Sequence, residues 1–115
     1  MINTKELKEA AKDISVLYVE DDAALRQSTC RLLNTLFGHV DIAENGLEGL
    51  NKYRQGSFDL ILTDINMPVL NGVKMAEKIK ADNPKQVIIV ISAHDEARYL
   101  LELINLRIDY FVLKP

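Results

Sequence analysis

Cysteine is almost absent from this sequence of 115 residues, which contains only Cys30. A single cysteine cannot form a disulfide bond within the chain. Long apolar segments are missing as well: the charged start MINTKELKEAAK lacks the apolar stretch of a signal peptide, and the run VIIVI at 87–91 is far too short to cross a membrane. We therefore expect a cytoplasmic protein without a membrane-spanning segment.

An excess of positive charge is also missing. The chain has 14 Lys and Arg residues against 17 Asp and Glu residues, which gives a formal net charge of -3 and a pI near 5.3. Its Lys and Arg residues form no cluster in the sequence. Nucleic-acid binding depends largely on cationic surfaces that neutralise phosphates. We therefore expect no direct nucleic-acid binding by this segment.

Hydrophobic residues make up 48% of the chain, which is enough for one compact domain. Short β-branched runs alternate with stretches of helical period, a pattern typical of a parallel sheet covered by helices. The predicted strands are ISVLYV (14–19), HVDIA (39–43), FDLILT (58–63), QVIIVI (86–91) and DYFVLK (109–114). The predicted helices span about 23–36, 46–55, 72–82 and 94–106.

The order of the strands can be predicted from which runs are apolar on both faces. VLYV, LILT and VIIVI are apolar throughout and belong inside the sheet, whereas HVDIA alternates and DYFVL begins with a charge, as edge strands do. This pattern favours an α/β fold with a flavodoxin-like, doubly wound, five-stranded parallel sheet of order 2-1-3-4-5. Ligands of such folds bind beyond the carboxyl ends of the strands, where the winding reverses between strands 1 and 3.

Polar residues follow four of the five predicted strands at this edge of the sheet. They are Glu20 and Asp21 after strand 1, Asp64 after strand 3, Ser92 after strand 4 and Lys114 at the end of strand 5. Each alone could be a helix cap, a turn residue or a solvated strand end, and we interpret the neighbouring Asp22 as a helix N-cap. Together the five residues predict one functional site.

The residue types at this edge suit magnesium-dependent phosphoryl transfer. Three carboxylates in one cleft provide the oxygen ligands that Mg²⁺ prefers, and an aspartate such as Asp64 can act as a nucleophile and form an acyl phosphate. Lys114 and the Ser92 hydroxyl can stabilise the phosphoryl oxygens. No residue resembles a general base for repeated turnover, because His39 and His94 lack a partner in the sequence and are predicted to lie on the surface.

The motifs VLYVEDD, DLILTDINMPVLNG, VIIVISA and YFVLKP, in this order and spacing, resemble those of the receiver domains of bacterial two-component response regulators, including the chemotaxis regulator. The resemblance covers residues 14–115 and leaves 1–13 as an N-terminal extension. It implies a signal relay that assists its own phosphorylation and dephosphorylation, not an enzyme. The implied partners are a sensor histidine kinase or phosphotransfer protein, which donates from a phosphohistidine, and a downstream output domain or protein.

The resemblance also implies a role for each matching residue. Asp64 would be the phosphoacceptor. The implied Mg²⁺ ligands are Glu20, Asp21, Asp64 and the backbone carbonyl of Asn66. The other implied roles are those of a switch hydroxyl for Ser92, a switch aromatic for Phe111 and a phosphate-binding lysine for Lys114, which a cis Lys114–Pro115 bond would turn into the site.

Four positions depart from the commonest pattern of the family, one of which is Ser92 in place of threonine. Glu20 stands where an aspartate is more usual, and its longer side chain could reach Mg²⁺ directly or through water. Phe111 lacks the hydroxyl of a tyrosine, so packing must define its position. Arg107 stands where the preceding helix often ends in glycine, and an arginine at positive φ would be strained. We therefore expect a differently shaped turn at Arg107.

Two helical segments lie outside these motifs. The N-terminal NTKELKEAAKDI has apolar residues at helical spacing and Asn3 and Glu6 spaced as in a capping box, which predicts a short amphipathic helix, with a frayed tail as the alternative. Helix 94–106 carries two apolar stripes, one of which should face the sheet while the other packs under a neighbouring helix or binds a partner. The two stripes are Ala97, Leu100, Leu101 and Ile104, and Tyr99, Leu103 and Leu106.

Other functions on a related fold are less compatible with the sequence. A flavodoxin-like FMN carrier would present hydroxyls and amides to a phosphate after strand 1, where EDDAA would repel it. A haloacid-dehalogenase-type phosphatase has its nucleophile after the first strand and a second aspartate two residues on, whereas Asp64 follows the third strand and Asn66 occupies that offset. The remaining alternative is a receiver-like protein-binding module without phosphorylation.

A receiver domain normally closes with a fifth helix after the Lys-Pro turn, and the sequence stops before it. We therefore expect a receiver domain truncated after strand 5, with a partly open sheet face formed by ISVLYV and DYFVL near Leu32 and Leu36. Bare apolar surface tends to be covered. The chain is accordingly expected to bury this face against a second copy, as a possible dimer, or against its N-terminal helix.

Overall fold

A computed structural model describes residues 3–92 and 99–113 of the chain. In this part five parallel strands form one sheet of order β2-β1-β3-β4-β5, which confirms the predicted flavodoxin-like winding. The strands are β1 (Ser15–Val19), β2 (His39–Ala43), β3 (Leu60–Asp64), β4 (Val87–Ser92) and β5 (Tyr110–Leu113). The helices are α1 (Thr4–Ala11), α2 (Ala23–Leu36), α3 (Gly46–Gln55), α4 (Gly72–Asp82) and α5 (Leu100–Asn105). None of these helices is long and apolar enough to span a lipid bilayer.

Three helices begin at the carboxyl edge of the sheet with the same kind of cap. The side chain of Asp22 accepts a hydrogen bond from the Leu25 N–H at 3.0 Å, which confirms its role as the N-cap of α2. Asn45 and Asn71 cap α3 and α4 in the same way, by accepting from backbone N–H groups three residues ahead. Such caps satisfy N–H groups that have no partner within the helix. They therefore fix the loops that form this edge of the sheet.

One face of the sheet packs against α3, α4 and α5 to form the main hydrophobic core. Its central residues, Leu17 on β1, Ile61 on β3 and Ile88 on β4, are fully buried. The stripe of α5 that faces this core contains Leu103, which is 1% exposed. Its neighbours on that stripe, Tyr99 and Leu106, also pack against the core, whereas Leu101 and Ile104 on the other stripe are exposed. The start of the predicted helix 94–106, including His94 and Ala97, lies outside the described residues.

The opposite face of the sheet is covered at one side and open at the other. Val16 and Tyr18 of β1 are at most 2% exposed, and α2 lies against β1 and β2. Tyr110 and Val112 of β5, by contrast, are 66% and 48% exposed. The outward residues of β5 are thus exposed, whereas the expectation of an open face is wrong for β1, whose outward residues are buried where α2 packs on the sheet.

Helix α1 is tied to the amino edge of the sheet. The Glu6 N–H donates to the Asn3 side chain at 2.8 Å, which is the first of the two bonds of the predicted capping box. The second bond differs from that motif, because the Glu6 carboxylate accepts from the Asn3 side-chain amide, at 3.4 Å, whereas the motif uses the main-chain N–H of the capping residue. The other end of α1 approaches the end of α2, where Ala11 is buried and the Lys12 carbonyl lies directly against Gly38. The N-terminal segment in this structure is thus a packed helix.

The turn after α5 differs from the one that the sequence predicts. Arg107 has φ 58°, its N–H donates to the Ile104 carbonyl at 3.0 Å, and the Ile108 N–H donates to the Leu103 carbonyl at 3.2 Å. These bonds form a Schellman motif, which usually has glycine at the position of Arg107. The expectation of another turn is wrong because the two hydrogen bonds and the packing of Leu103 and Ile108 on the core outweigh the strain of a left-handed arginine.

Candidate functional site

Three carboxylates meet at the carboxyl ends of β1 and β3. Glu20, Asp21 and Asp64 each offer an oxygen atom that lies within 4.8 Å of the other two. Strand register explains their proximity, since Val19 pairs with Thr63 and the next residue on each strand is Glu20 or Asp64. Glu20 is only 2% exposed and Asp64 only 6%, while Asp21 is exposed. The predicted convergence of these side chains is therefore present in the structure.

This donor set fits a hard divalent cation. Like charges at such short range repel one another, and a divalent cation bound between them would remove this repulsion. Carboxylate oxygens are the ligands that Mg²⁺ prefers, and this ion commonly takes one or two carboxylates and completes its shell with waters and a phosphate. Three carboxylates that are partly open to solvent through Asp21 meet these requirements.

Asp64 is held in place by its neighbours in the chain and by α4. Its Oδ1 accepts a hydrogen bond from the Ile65 N–H at 2.8 Å, and its carbonyl accepts one from the Thr63 hydroxyl at 2.9 Å. Gly72, the first residue of α4, packs directly against that carbonyl, and a Cβ at this position would overlap with the oxygen. The Gly72 N–H also donates to the Ile65 carbonyl at 2.8 Å. Close approach of α4 thus requires glycine here.

The loop after Asp64 contains a strained turn. Val69 has φ 70°, and the Leu70 N–H donates to the Pro68 carbonyl at 2.8 Å, which makes this segment the rarer and strained form of a γ-turn. A β-branched residue in this region of φ is an outlier. The Leu70 carbonyl accepts a hydrogen bond from the Gly46 N–H at 3.0 Å, so the first turn of α3 holds the loop in this shape.

The other predicted site residues lie at the end of β4, on β5, in the loop after Asp64 or outside the described part of the chain. Ser92 is the fully buried last residue of β4, one position beyond the residue that pairs with Asp64. Phe111 is half-buried on β5 and packs against the core, and Asn66 is exposed in the loop two residues after Asp64. Lys114 and the Lys114–Pro115 bond lie outside the described residues.

Sequence reasoning overlooked a buried cation beside the carboxylates. Arg26, in the first turns of α2, is 9% exposed, and its guanidinium donates to the Glu20 carbonyl at 2.8 Å and to the Asp21 carbonyl at 3.4 Å. Its second terminal nitrogen lies 3.7 Å from a carboxylate oxygen of Glu44. The available signal was its spacing: Arg26 and the buried Leu33 are seven residues apart and lie on the same inward stripe of the helix.

Comparisons with known proteins agree on one family. The family model described as the response regulator receiver domain matches residues 16–115. The chemotaxis protein CheY-3 of Vibrio cholerae is 28% identical over 107 residues, which cover 90% of this chain and 82% of that protein. The transcriptional regulatory protein ZraR of Klebsiella oxytoca is 30% identical over 110 residues, which cover 92% of this chain but only 24% of that protein.

A solved structure gives the same result. The response regulator protein TrrA of Thermotoga maritima, crystallised in complex with Mg²⁺ and BeF, superposes with a TM-score of 0.81 at 30% identity, covering 89% of this chain and 87% of that one. The matched segment begins at the second residue of β1 and includes the other four strands and each of the three clustered carboxylates. The chain therefore belongs to the family of response regulator receiver domains, a family of signalling domains.

Proposed function

We propose that this chain is a phosphoacceptor domain in which Asp64 receives a phosphoryl group, in a magnesium-dependent reaction, from a phosphohistidine of a sensor histidine kinase or phosphotransfer protein. The observation that carries the proposal is the position of the Asp64 carboxylate within 4.8 Å of those of Glu20 and Asp21, at the carboxyl edge of a receiver fold. Transfer would switch a surface that a downstream output domain or protein recognises. The relay would operate in the cytoplasm.

The transfer needs a nucleophile, a leaving group and positive charge around the phosphoryl oxygens. A carboxylate oxygen of Asp64 forms a bond to phosphorus while the bond from phosphorus to the donor imidazole nitrogen breaks. The electron pair of the broken bond stays on the imidazole, which then takes up a proton. Bound Mg²⁺ supplies positive charge next to the phosphoryl oxygens.

The remaining residues of the site have supporting roles in this proposal. Mg²⁺ would be held by Glu20, Asp21, Asp64 and the backbone carbonyl of Asn66. The Ser92 hydroxyl donates a hydrogen bond to a phosphoryl oxygen, and Lys114 provides a second cation for it. Movement of Ser92 toward the phosphoryl group leaves room for Phe111 to change its packing, which carries the signal to the surface around β5.

The domain acts as a relay that assists its own phosphorylation and dephosphorylation, and repeated turnover is not its role. Efficient hydrolysis of an acyl phosphate calls for a general base within hydrogen-bond reach of the attacking water. His39, the histidine among the described residues, is exposed at the first position of β2, at the opposite edge of the sheet from Asp64. His39 is therefore not placed to act as such a base.

Phosphorylation by a small-molecule donor tests the assignment. Incubation with acetyl phosphate and Mg²⁺ should add the mass of one phosphoryl group to the wild-type chain, and Asp64→Asn should abolish this addition. Asp13→Asn is the matched control, because Asp13 is exposed and precedes β1 at the other edge of the sheet. Intact-protein mass spectrometry measures both. Modification of the Asp64→Asn variant at the wild-type level would contradict the proposal.

A titration with Mg²⁺ separates this function from the alternative of a protein-binding module without phosphorylation. Asp21→Asn removes a ligand charge and should weaken Mg²⁺ binding, measured by calorimetry in the absence of any phosphoryl donor. A wild-type chain that binds no Mg²⁺ and accepts no phosphoryl group would favour the binding module.

A further inference from the structure

Arg26 is a buried cation whose hydrogen bonds go to the main chain. Its side chain is 11% exposed, and one terminal nitrogen donates to the carbonyl oxygens of Glu20 and Asp21, at 2.8 and 3.4 Å. The other terminal nitrogen lies 3.7 Å from Glu44, whose side chain is 68% exposed. A buried guanidinium is costly to desolvate, and a distant pair with an exposed carboxylate offsets little of that cost. The two carbonyl groups are therefore its principal partners.

These two carbonyls belong to the turn that carries two of the three clustered carboxylates. The Glu20 N–H donates to the Ala43 carbonyl at 3.0 Å, so β2 holds this residue from one side. Arg26 holds the carbonyl of the same residue from the other side and reaches the next carbonyl as well. Fixing both ends of a residue limits rotation of its backbone. The direction in which the Glu20 and Asp21 side chains leave the chain is thereby set.

We propose that Arg26 is a positioning residue for this turn: by holding the Glu20 and Asp21 carbonyls, it keeps the two carboxylates facing Asp64 and preorganises the cluster for a divalent cation. The inference rests on the function proposed above and assigns to Arg26 a part in it. Groups that orient metal ligands without touching the metal typically change metal affinity by about 10- to 100-fold when removed.

The direction in which the Mg²⁺ affinity changes when Arg26 is replaced distinguishes a positioning role from a purely electrostatic one. A guanidinium close to a cation site repels the cation, so loss of its charge alone should tighten Mg²⁺ binding. Loss of a positioning contact should weaken binding, because the freed turn has to be ordered again when the ion binds. Weaker binding in a variant that lacks the positive charge can therefore not come from the charge itself.

The test compares the Mg²⁺ affinity of three variants with that of the wild-type chain, by calorimetry on the protein without a phosphoryl donor. Arg26→Met removes the charge and the hydrogen bonds and should raise the Kd by about tenfold or more. Arg26→Lys keeps the charge but loses the planar guanidinium group with its several N–H donors. Its Kd for Mg²⁺ should therefore lie between the values of the wild type and Arg26→Met. Arg31→Met is the matched control: it removes the same charge from an exposed position on the same helix and should leave the Kd unchanged.

Two further measurements test whether weaker Mg²⁺ binding in Arg26→Met arises in the turn that contains Glu20 and Asp21. Hydrogen exchange of the Asp21 and Asp22 amides in the metal-free protein should be faster in Arg26→Met than in Arg31→Met, because the turn is no longer held. Phosphorylation of Arg26→Met by acetyl phosphate should need more Mg²⁺ but approach the wild-type maximal rate at saturation, since the variant retains Asp64 and every proposed Mg²⁺ ligand. Faster exchange confined to these amides, with core amides unchanged, and a higher Mg²⁺ requirement at an unchanged maximal rate are effects that a loss of global stability alone would not produce.

Arg26→Met binding Mg²⁺ as tightly as the wild type, or more tightly, would overturn the positioning role. If Arg26→Met does not fold, Arg26→Lys decides: a Kd about threefold higher than the wild-type value supports the role, and an unchanged Kd overturns it. A wild-type chain that neither binds Mg²⁺ nor accepts a phosphoryl group would refute the proposed function itself, and the two failures are thus distinguishable.

Discussion

At the scale of single residues, Val69 and Arg107 are the two residues other than glycine with positive φ in the described part of the chain. A left-handed conformation brings the Cβ of an L-residue close to the following carbonyl oxygen and costs roughly 1–2 kcal/mol. Val69 lies in the loop that follows Asp64, and strained residues often gather near functional sites. Arg107 lies at the amino edge of β5, far along the chain from the carboxylates. Its left-handed conformation belongs to the motif that ends α5.

Replacement of Arg107 by glycine should therefore stabilise the protein. Glycine takes φ 58° without a Cβ clash, although it also increases the freedom of the unfolded chain, so we expect a net gain of about 0.5–1 kcal/mol and a Tm increase of about 3 °C. Thermal denaturation followed by circular dichroism measures it. Arg107→Ala, which loses the guanidinium but keeps the Cβ, is the control and should give no such gain. Equal Tm values for both variants would argue against backbone strain.

Gly72 provides a residue-scale prediction for the site. A Cβ there would overlap with the Asp64 carbonyl oxygen, so Gly72→Ala should push α4 and β3 apart, destabilise the fold by about 1–3 kcal/mol and slow modification by acetyl phosphate. Gly56→Ala is the control, since the atoms nearest to its Cβ would be the Phe58 ring at 3.3 Å and the Lys52 carbonyl at 3.4 Å. Denaturant unfolding and the rate of phosphoryl addition test this. Wild-type behaviour of Gly72→Ala would mean that α4 can withdraw at no cost.

At the scale of secondary-structure elements, α1 is attached to the rest of the fold through its carboxyl-terminal end. Ala10, Ala11 and Ile14 face Leu36 and Phe37 across an apolar cavity of about 190 Å³. Because side chains do not fill this cavity completely, the residues that line it make weaker dispersion contacts with one another. The close approach of the Lys12 carbonyl to Gly38 is therefore an important part of how α1 docks.

Gly38→Ala should detach α1 without disturbing the sheet. The added Cβ overlaps with the Lys12 carbonyl, and we expect a loss of about 1–2 kcal/mol together with faster tryptic cleavage within residues 5–12. The same substitution in a chain that lacks residues 1–12 should be nearly neutral, because the clashing group is gone. This double-mutant cycle isolates the contact. An equal loss of stability in both backgrounds would place the effect of Gly38→Ala elsewhere.

At the scale of the whole molecule, the parts of the fold and site that depend on local pattern could be predicted from the sequence. The apolar runs gave the strand order, and because parallel strands end at one edge, Glu20, Asp21 and Asp64 could be placed together before any coordinates. The N-cap at Asp22 could also be predicted, because it depends on a hydrogen bond to a residue only three positions along the chain.

Features that depend on tertiary packing could not be predicted in this way. The hydrogen bonds of Arg26 are made to main-chain oxygens, and no side-chain motif specifies them. The left-handed turn at Arg107 contradicts the local preference of arginine and is stabilised by the packing of Leu103 and Ile108 on the core. The burial of Val16 and Tyr18 depends on the path of α2 over the sheet, which periodicity alone does not define.

The open side of the sheet gives a prediction for the whole molecule. Tyr110 and Val112 are exposed, Val87 is 36% exposed, and register places them on the same face as the half-buried Leu60, Leu62, Ile89 and Ile91. A contiguous apolar patch of this kind usually becomes an interface. We therefore expect this chain of 115 residues to self-associate reversibly as its concentration rises.

The double variant Tyr110→Thr with Val112→Thr should shift this equilibrium to the monomer, because threonine keeps a high strand propensity while reducing the apolar area. Sedimentation velocity over a concentration series measures the association. Leu101→Gln with Ile104→Gln is the control, since these exposed residues lie on α5 and not on the open face of the sheet. If the α5 variant becomes monomeric while the β5 variant still associates, the interface lies on α5. A wild-type chain that stays monomeric throughout would show that the open face is stable in water.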